Sequence, residues 1–458
     1  SEPALAEPVQ EPTLLDRALR PFADVRAGEG GTALLMMVNI FVVLFAYYVL
    51  KTTREPLILV LEDGPKLKSY ASAVQAGVLI AVLPLFNWLT SAVDTRRLLF
   101  GMVAFFLVCI EAFYFAWAGE LPIGFVFFVW VGIFSLSSIA LFWGFANEVY
   151  PRVHGERIFP FIGIGMTGGA FAGSFLAGRL FGEQVSPGAV LQVAAGLLVV
   201  HGVLYALVLR RPDVNLVKPE PQQSALRAAV AGFELVFRRK YIGQIAALIL
   251  LLNLVNTTGE YVLSEYVITL TDEAQRAALA NGVIEDVDEW RKSYVGEFYG
   301  NFFLWVNVAS VTMQAFLASR LVDKFGIAGA LLALPIVAGV GYGLAFFGVG
   351  FMVFRWAKTA ENATDYSIMN TARAMLWLPT SREDKYKAKQ TIDTLVVRSG
   401  DVLSAGLVFA GTTWLEFGPR GFAGVNLVLI ATWLVLARWL LKSYRTESAA
   451  AVQAEAAA

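Results

Sequence analysis

The sequence predicts an all-α integral membrane protein with twelve transmembrane helices in two groups of six. Three observations lead there. Hydrophobic residues fill 57% of the 458 positions, charged residues only 16%, and the mean hydropathy is +0.61, well outside the balance of a soluble domain. The apolar residues fall into runs of about 20, the length needed to cross a bilayer core of about 30 Å. A polar, basic linker divides those runs into two equal sets.

The first six runs cover 32–51, 70–93, 98–118, 121–147, 158–182 and 187–209. The second six cover 241–264, 294–318, 327–347, 348–372, 391–415 and 421–442. Between them, the linker from Arg210 to Lys240 is rich in Arg and Lys. The halves echo one another: Val93-Asp94-Thr95-Arg96 follows the second run and Val322-Asp323-Lys324 follows the eighth, both in short loops. The expected organisation is therefore a leader 1–31, disordered or amphipathic, a first bundle 32–209, a linker 210–240, a second bundle 241–443 and a disordered tail 444–458. Ser1 to Pro12 is rich in Glu, Pro and Ala, and the residues after Glu447 are mostly Ala; neither stretch can bury a core. No cleavable signal peptide is visible, since the first apolar run follows a polar leader and lacks a small-residue cleavage site. With the N-terminus inside, about 24 Lys and Arg fall inside, 8 outside and 4 within spans. Both termini are expected to be cytoplasmic. The longest outside loop, Thr271 to Lys292, is acidic and reads as a solvated helical cap.

Several function classes are excluded by what the chain lacks. A formal net charge of −1 argues against a polyanion-binding surface, so no nucleic-acid partner is expected. Cys109 is alone and cannot form an intramolecular disulfide, and His154 and His201 are too few for a histidine metal site; neither metal nor cofactor is expected. There is no H-E-x-x-H, no P-loop and no G-x-S-x-G, so neither an ATP-driven pump nor a familiar hydrolase is encoded. Gly163-Ile164-Gly165-Met166-Thr167-Gly168 fits the dinucleotide fingerprint, but no strand precedes it. Gly165, Gly169 and Gly173 instead make two small-xxx-small steps that suit helix packing.

Charges at bilayer depth cost several kcal/mol unless they face protein or water, so they mark candidate sites. In the tenth run Arg355, Lys358, Glu361 and Asp365 follow a three-, three-, four-residue spacing along one helix face. The seventh run carries Asn253, Asn256 and Glu260, the eleventh Thr394, Arg398 and Asp401, and the first Tyr47, Lys51 and Arg54. Four polar stripes are what a central water-filled pathway between two bundles requires. The competing reading is that such charges form ion pairs that hold helices together, as Lys358 and Glu361 could within one turn. A secondary transporter and a membrane-embedded enzyme or receptor both fit a polar cavity. Surface-placed carboxylates would favour the enzyme, and the deep charges on both halves favour transport.

These residues resemble the ATP/ADP translocase (nucleotide transporter) family of plastids and intracellular bacteria. The resemblance is carried by Tyr47-Tyr48-Val49-Leu50-Lys51-Thr52-Thr53-Arg54-Glu55, by Phe142-Trp143-Gly144-Phe145-Ala146-Asn147-Glu148, and by Asn253-Leu254-Val255. Tyr299-Gly300-Asn301-Phe302, Asp365-Tyr366-Ser367, Leu378-Pro379 and Lys387-Ala388-Lys389-Gln390-Thr391-Ile392-Asp393 extend it in order along the chain. It implies a major-facilitator-like fold of two six-helix bundles and nucleotide exchange by alternating access. It also implies two basic and two acidic positions important to turnover. Lys51 and Glu148 match two of them; Asn256 stands where the family places glutamate, and Arg398 where it places lysine. Arginine still clamps phosphate, bidentately, whereas asparagine removes a negative charge.

The expected substrate-binding set is Lys51, Arg54 and Tyr47 from the first half, with Asn256, Glu260, Arg355, Lys358 and Arg398 from the second. Gating or coupling is expected of Glu148 with Arg152 or Arg157, and of Glu361, Asp365 and Asp401. The expected partner is an anionic small molecule, a nucleotide foremost, in a monomer of the bacterial inner membrane. A proton-coupled transporter of another solute, using Glu260, Glu361 or Asp365, is the alternative.

Overall fold

The structure is a computed structural model that describes residues 13–19, 26–150, 152–214, 216, 233–282, 284, 286–381, 385, 388–389 and 391–457. Residues 1–12, most of the linker and the side chain of Arg152 lie outside these, so the expectations for them do too. The first half holds α1 (Gly30–Leu59), α2 (Gly64–Ala92), α3 (Thr95–Ala118), α4 (Gly124–Val149), α5 (Arg152–Gly182) and α6 (Pro187–Leu209). The second holds α7 (Lys240–Ala280), α8 (Val287–Met313), α9 (Ser319–Phe346), α10 (Phe351–Thr364), α11 (Val397–Thr413) and α12 (Pro419–Ala457). No strand occurs among the described residues.

Ten helical stretches among the described residues are long and apolar enough to cross a membrane, which makes this a multi-pass membrane protein. One of them, Val287–Phe346, has 60 residues, too many for one crossing at about 1.5 Å per residue. It is interrupted at Gly326, where φ 62° and ψ −159° favour glycine. α10 is not among the ten; its 14 residues include Arg355, Lys358 and Glu361. A π-turn, Asp365–Met369, and a short helix, Asn370–Leu376, carry it onward.

Two hydrophobic cores follow the two halves. One is built from α1, α3, α4, α5 and α6. The other is built from α7 to α12 and takes in Ile58 and Leu59 at the end of α1, Ala71 of α2 and Phe128 of α4. Within the first half, α5 lies so close to α1 that a Cβ on Gly165, Gly169 or Gly173 would come within 2.2, 2.2 and 2.6 Å of the carbonyl oxygens of Met37, Phe41 and Phe45. The apparent dinucleotide fingerprint is thus the packing face of a helix. Between the halves the same device recurs, with a Cβ on Gly300 of α8 only 2.3 Å from the Cα of Gly178 of α5. Close by, Tyr48 of α1 donates to Asn307 of α8 (3.3 Å), whose amide donates to Ser174 of α5 (3.2 Å).

Two expectations change. α1 runs on to Leu59 and α2 starts at Gly64, not at 51 and 70, because Lys51, Glu55 and Lys68 are buried in protein instead of marking the bilayer edge. The tail expected to be disordered is helical through Ala457, in keeping with the high helix propensity of its alanines. Part of the leader is also folded: the short helix Leu14–Leu19 is tied down by Asp16, whose carboxylate accepts from the N–H groups of Thr13, Gly28 and Gly30 at 2.8, 3.0 and 2.9 Å. Burial would raise the Asp16 carboxyl, but the bonds from Gly28, Thr13 and Gly30 outweigh it and hold the group at about 2.

Candidate transport site

The polar interior is organised around a chain of six charges, four buried and two half-buried, that crosses from one half to the other. Arg54 at the end of α1 pairs with Glu55 at 3.0 Å and lies over the Phe128 ring at 4.2 Å. The other oxygen of Glu55 is 2.8 Å from Lys68 at the start of α2. Lys68 then reaches Glu260 of α7 at 3.6 Å and donates to Ser264 at 3.2 Å. Glu260 accepts from Asn362 at 3.1 Å and is 4.0 Å from Lys358. Lys358 closes the chain on Glu361 at 2.8 Å and also donates to the side-chain oxygen of Asn256 at 2.9 Å and to Tyr342 at 3.4 Å. α7 can present Asn256 and Glu260 together because they are one turn apart on the same face.

Lys51, one turn before Glu55, is different. It is 9% exposed, and no carboxylate lies within ion-pair distance among the described residues. Its ammonium lies over two aromatic faces instead, Tyr48 at 4.9 Å and Phe303 of α8 at 4.3 Å. Tyr47 packs edge-on against Tyr48, with ring centroids 5.3 Å apart. Among the described residues, the cation is therefore held between the halves by these rings.

Arg398 belongs to a third setting. It is 3.4 Å from Asp401, which also accepts from Asn253 at 2.9 Å and Thr257 at 3.2 Å. Arg398 lines a cleft whose opposite wall is Leu79 and Leu83 of α2 and Leu136 of α4, with Asp393 and Thr394 beside it. Both halves contribute to this cleft. A smaller cavity is lined by Asn256, Glu361 and Asp365. Asp365 opens the π-turn of α10 and is 3.4 Å from Arg373, and a second π-turn, Ile392–Val396, precedes Arg398. Such turns are frequent at functional sites.

The structure thus brings Arg54, Asn256, Glu260, Lys358 and Glu361 into one network, but in a paired state. Lys358 is fully enclosed and does not line an open pathway, contrary to the expectation from its stripe. Arg355 leaves the stripe as well, its guanidinium held over the rings of Phe298 (5.1 Å) and Trp356 (5.6 Å). Glu148 accepts from Thr95 at 2.7 Å and Arg157 pairs with Glu29 at 3.1 Å, both contacts within the first half. Two members of the network escaped the sequence reading, Glu55 and Lys68. Their signal was the clustering of charge in Lys51, Arg54, Glu55 and the nearby Lys68, of which Glu55 and Lys68 fall between the expected first and second runs.

The fold is that of a major-facilitator-type transporter. The nucleoside transporter NupG superposes over 90% of this chain and 99% of its own with a TM-score of 0.63 and 13% identity, in a D323A mutant. The peptide transporter PepTSo of the POT family covers 91% and 98% with a TM-score of 0.61 and 12% identity. Among curated proteins the chain is similar to ADP,ATP carrier protein 1 of Chlamydia pneumoniae, 25% identical over 69% of this chain and 66% of the relative. ADP,ATP carrier protein 3 of Rickettsia conorii is 22% identical over 65% and 64%, and ADP,ATP carrier protein 1 of Chlamydia trachomatis 24% over 71% and 66%. This likeness is that of a divergent homologue, and the chain spans just under two thirds of the length of these relatives. No protein-family model matches it.

Proposed function

We propose that the chain is a secondary active transporter that exchanges nucleotides or related phosphorylated anions by alternating access, and that it is a carrier and not an enzyme. The observation that carries this reading is Lys51, a buried cation between the halves with aromatic neighbours and, among the described residues, no carboxylate within ion-pair distance. A cation at that depth is costly unless an anion completes it, and a passing phosphate is such an anion. Arg398, in a cleft shared by both halves, adds a planar fork suited to phosphate, and the apolar wall of Leu79, Leu83 and Leu136 suits the rest of a nucleotide. The names of the ADP,ATP carrier relatives support the same cargo.

In this reading twelve helices cross the bacterial inner membrane, both termini are cytoplasmic, and the bundles 32–209 and 241–443 of a monomer rock about the site. Glu361, Asp365 and Asp401 balance charge as the halves move, and Glu148 with Arg152 or Arg157 lies towards the cytoplasmic side. The test is counterflow of labelled ATP, ADP and other phosphorylated metabolites in proteoliposomes, with thermal shift of the purified protein against the same compounds. Ligand binding to the folded state raises the melting point by mass action. Uptake that requires a trans nucleotide supports exchange; no shift and no uptake with any phosphorylated anion would sink the reading.

A further inference from the structure

The six-charge chain has an internal order that bears on how the halves part. Arg54, Glu55 and Lys68 belong to the first half, and Glu260, Lys358 and Glu361 to the second. The end pairs are tight, 3.0 and 2.8 Å in the first half and 2.8 Å in the second, whereas the ion pair that crosses the seam, Lys68 to Glu260, is 3.6 Å, beside a hydrogen bond from Lys68 to Ser264 at 3.2 Å. If the chain breaks at that seam, Lys68 keeps Glu55, and Glu260 keeps Asn362 and the nearby Lys358. No charge is stranded. Breaking an ordinary buried pair strands both partners at a cost of several kcal/mol, so this arrangement lowers the cost of opening. Glu260 is also the member that water reaches most readily, with 24% of its side chain exposed against 8% for Lys68 and 0% for Glu55 and Lys358.

We propose that Lys68 is a positioning residue of the transport cycle: it shares one ammonium between Glu55 of its own half and Glu260 and Ser264 of the other. In doing so it holds the α2–α7 seam shut until Glu260 is released. After release the first-half triad carries one surplus positive charge and the second-half triad one surplus negative charge, so the halves attract one another and the seam recloses. The proposal rests on the transport reading for its purpose, but not for its evidence, since the seam contacts are made by the protein's own residues.

The experiment uses spin labels at Glu62 and Glu273, exposed residues on opposite sides of the seam, in a Cys109→Ser background without ligand. The unaltered seam should give a short-distance population, and Lys68→Met and Glu260→Gln should each add a longer one. Lys68→Arg should restore the short distance. Glu55→Gln is the control, because it weakens the chain within one half but leaves Lys68 on Glu260; it should lower the melting point and leave the short population in place. The proposal is overturned if Glu260→Gln, which is isosteric and decides alone should Lys68→Met not fold, leaves the distances unchanged in folded protein. It is equally overturned if Glu55→Gln opens the seam as far as Glu260→Gln does. Failure of nucleotide exchange in the protein with Lys68, Glu55 and Glu260 unaltered would count against the transport reading and leave the seam result standing.

Discussion

Lys358 and Lys51 are both lysines buried inside the protein, and they are treated in opposite ways. Lys358 is surrounded by Glu361, Asn256 and Tyr342, so its charge is satisfied by the protein itself. Lys51 has two ring faces, which offer on the order of 2 kcal/mol to a desolvated cation, and no carboxylate within ion-pair distance among the described residues. The first arrangement holds a structure together; the second leaves a charge for something that comes and goes. Charge at bilayer depth is therefore not one signal but two, and the partner distinguishes them.

Breaking the satisfied region should have the largest effect on stability. Glu55→Ala strands Arg54 and takes the tighter partner from Lys68, and losing one side of a buried pair costs about 3–5 kcal/mol, so a marked fall in melting point in detergent is expected. A melting point equal to that of the unaltered protein would show that the chain is wet and weak.

Close helix packing supplies a reference that involves no charge. Gly169→Leu places a side chain against the Phe41 carbonyl, where a Cβ alone would sit at 2.2 Å, and overpacking costs about 1–3 kcal/mol or more. Reduced yield and melting point are expected, with no change in the salt dependence of melting. A salt-dependent defect would contradict the steric account.

In the cleft shared by both halves the effects should fall on binding. Arg398→Gln removes a charged hydrogen-bonding group worth about 1.5–3 kcal/mol, so nucleotide affinity measured by calorimetry should fall tenfold or more. Arg398→Lys should be milder, because the charge stays and only the fork is lost. Equal losses in the two variants would remove the bidentate role.

The smallest effect lies outside the membrane, at Asp16. Its folded value of about 2 is below its ordinary 3.8, so the stabilisation is complete above the ordinary value and is lost as pH falls towards 2. Asp16→Asn should melt lower than the unaltered chain at pH 6, by about 1 kcal/mol, and the gap should narrow as pH is lowered below 4. A gap that widens towards low pH would mean that the carboxylate is not what ties down Leu14–Leu19.

Much of the fold was legible because hydropathy reports directly on burial in lipid: the interruption at Gly326 lies between the expected eighth and ninth runs, and the Gly165, Gly169 and Gly173 steps pack against α1 as their spacing implies. The ends of α1 and α2 were not legible. Hydropathy cannot tell a charge that has left the bilayer from one neutralised inside a protein, and Glu55 and Lys68 are of the second kind. Helical spacing correctly put Lys358 and Glu361 on one face, but it could not foresee that Phe298 and Trp356 would hold Arg355 away from them. Asn256 shows the reverse case. A lost carboxylate at that position looked like a missing charge, and the structure supplies Glu361 to the same lysine.

The most direct test of the two-lysine account pairs melting with transport in Lys51→Gln and Lys358→Gln. Lys51→Gln should lose exchange of labelled nucleotide in proteoliposomes while its melting point is unchanged or higher, since no carboxylate is stranded. Lys358→Gln should melt markedly lower, because Glu361 is left buried without its cation. If Lys51→Gln exchanges nucleotide as well as the unaltered protein does, or if it is the variant that unfolds, the account is contradicted.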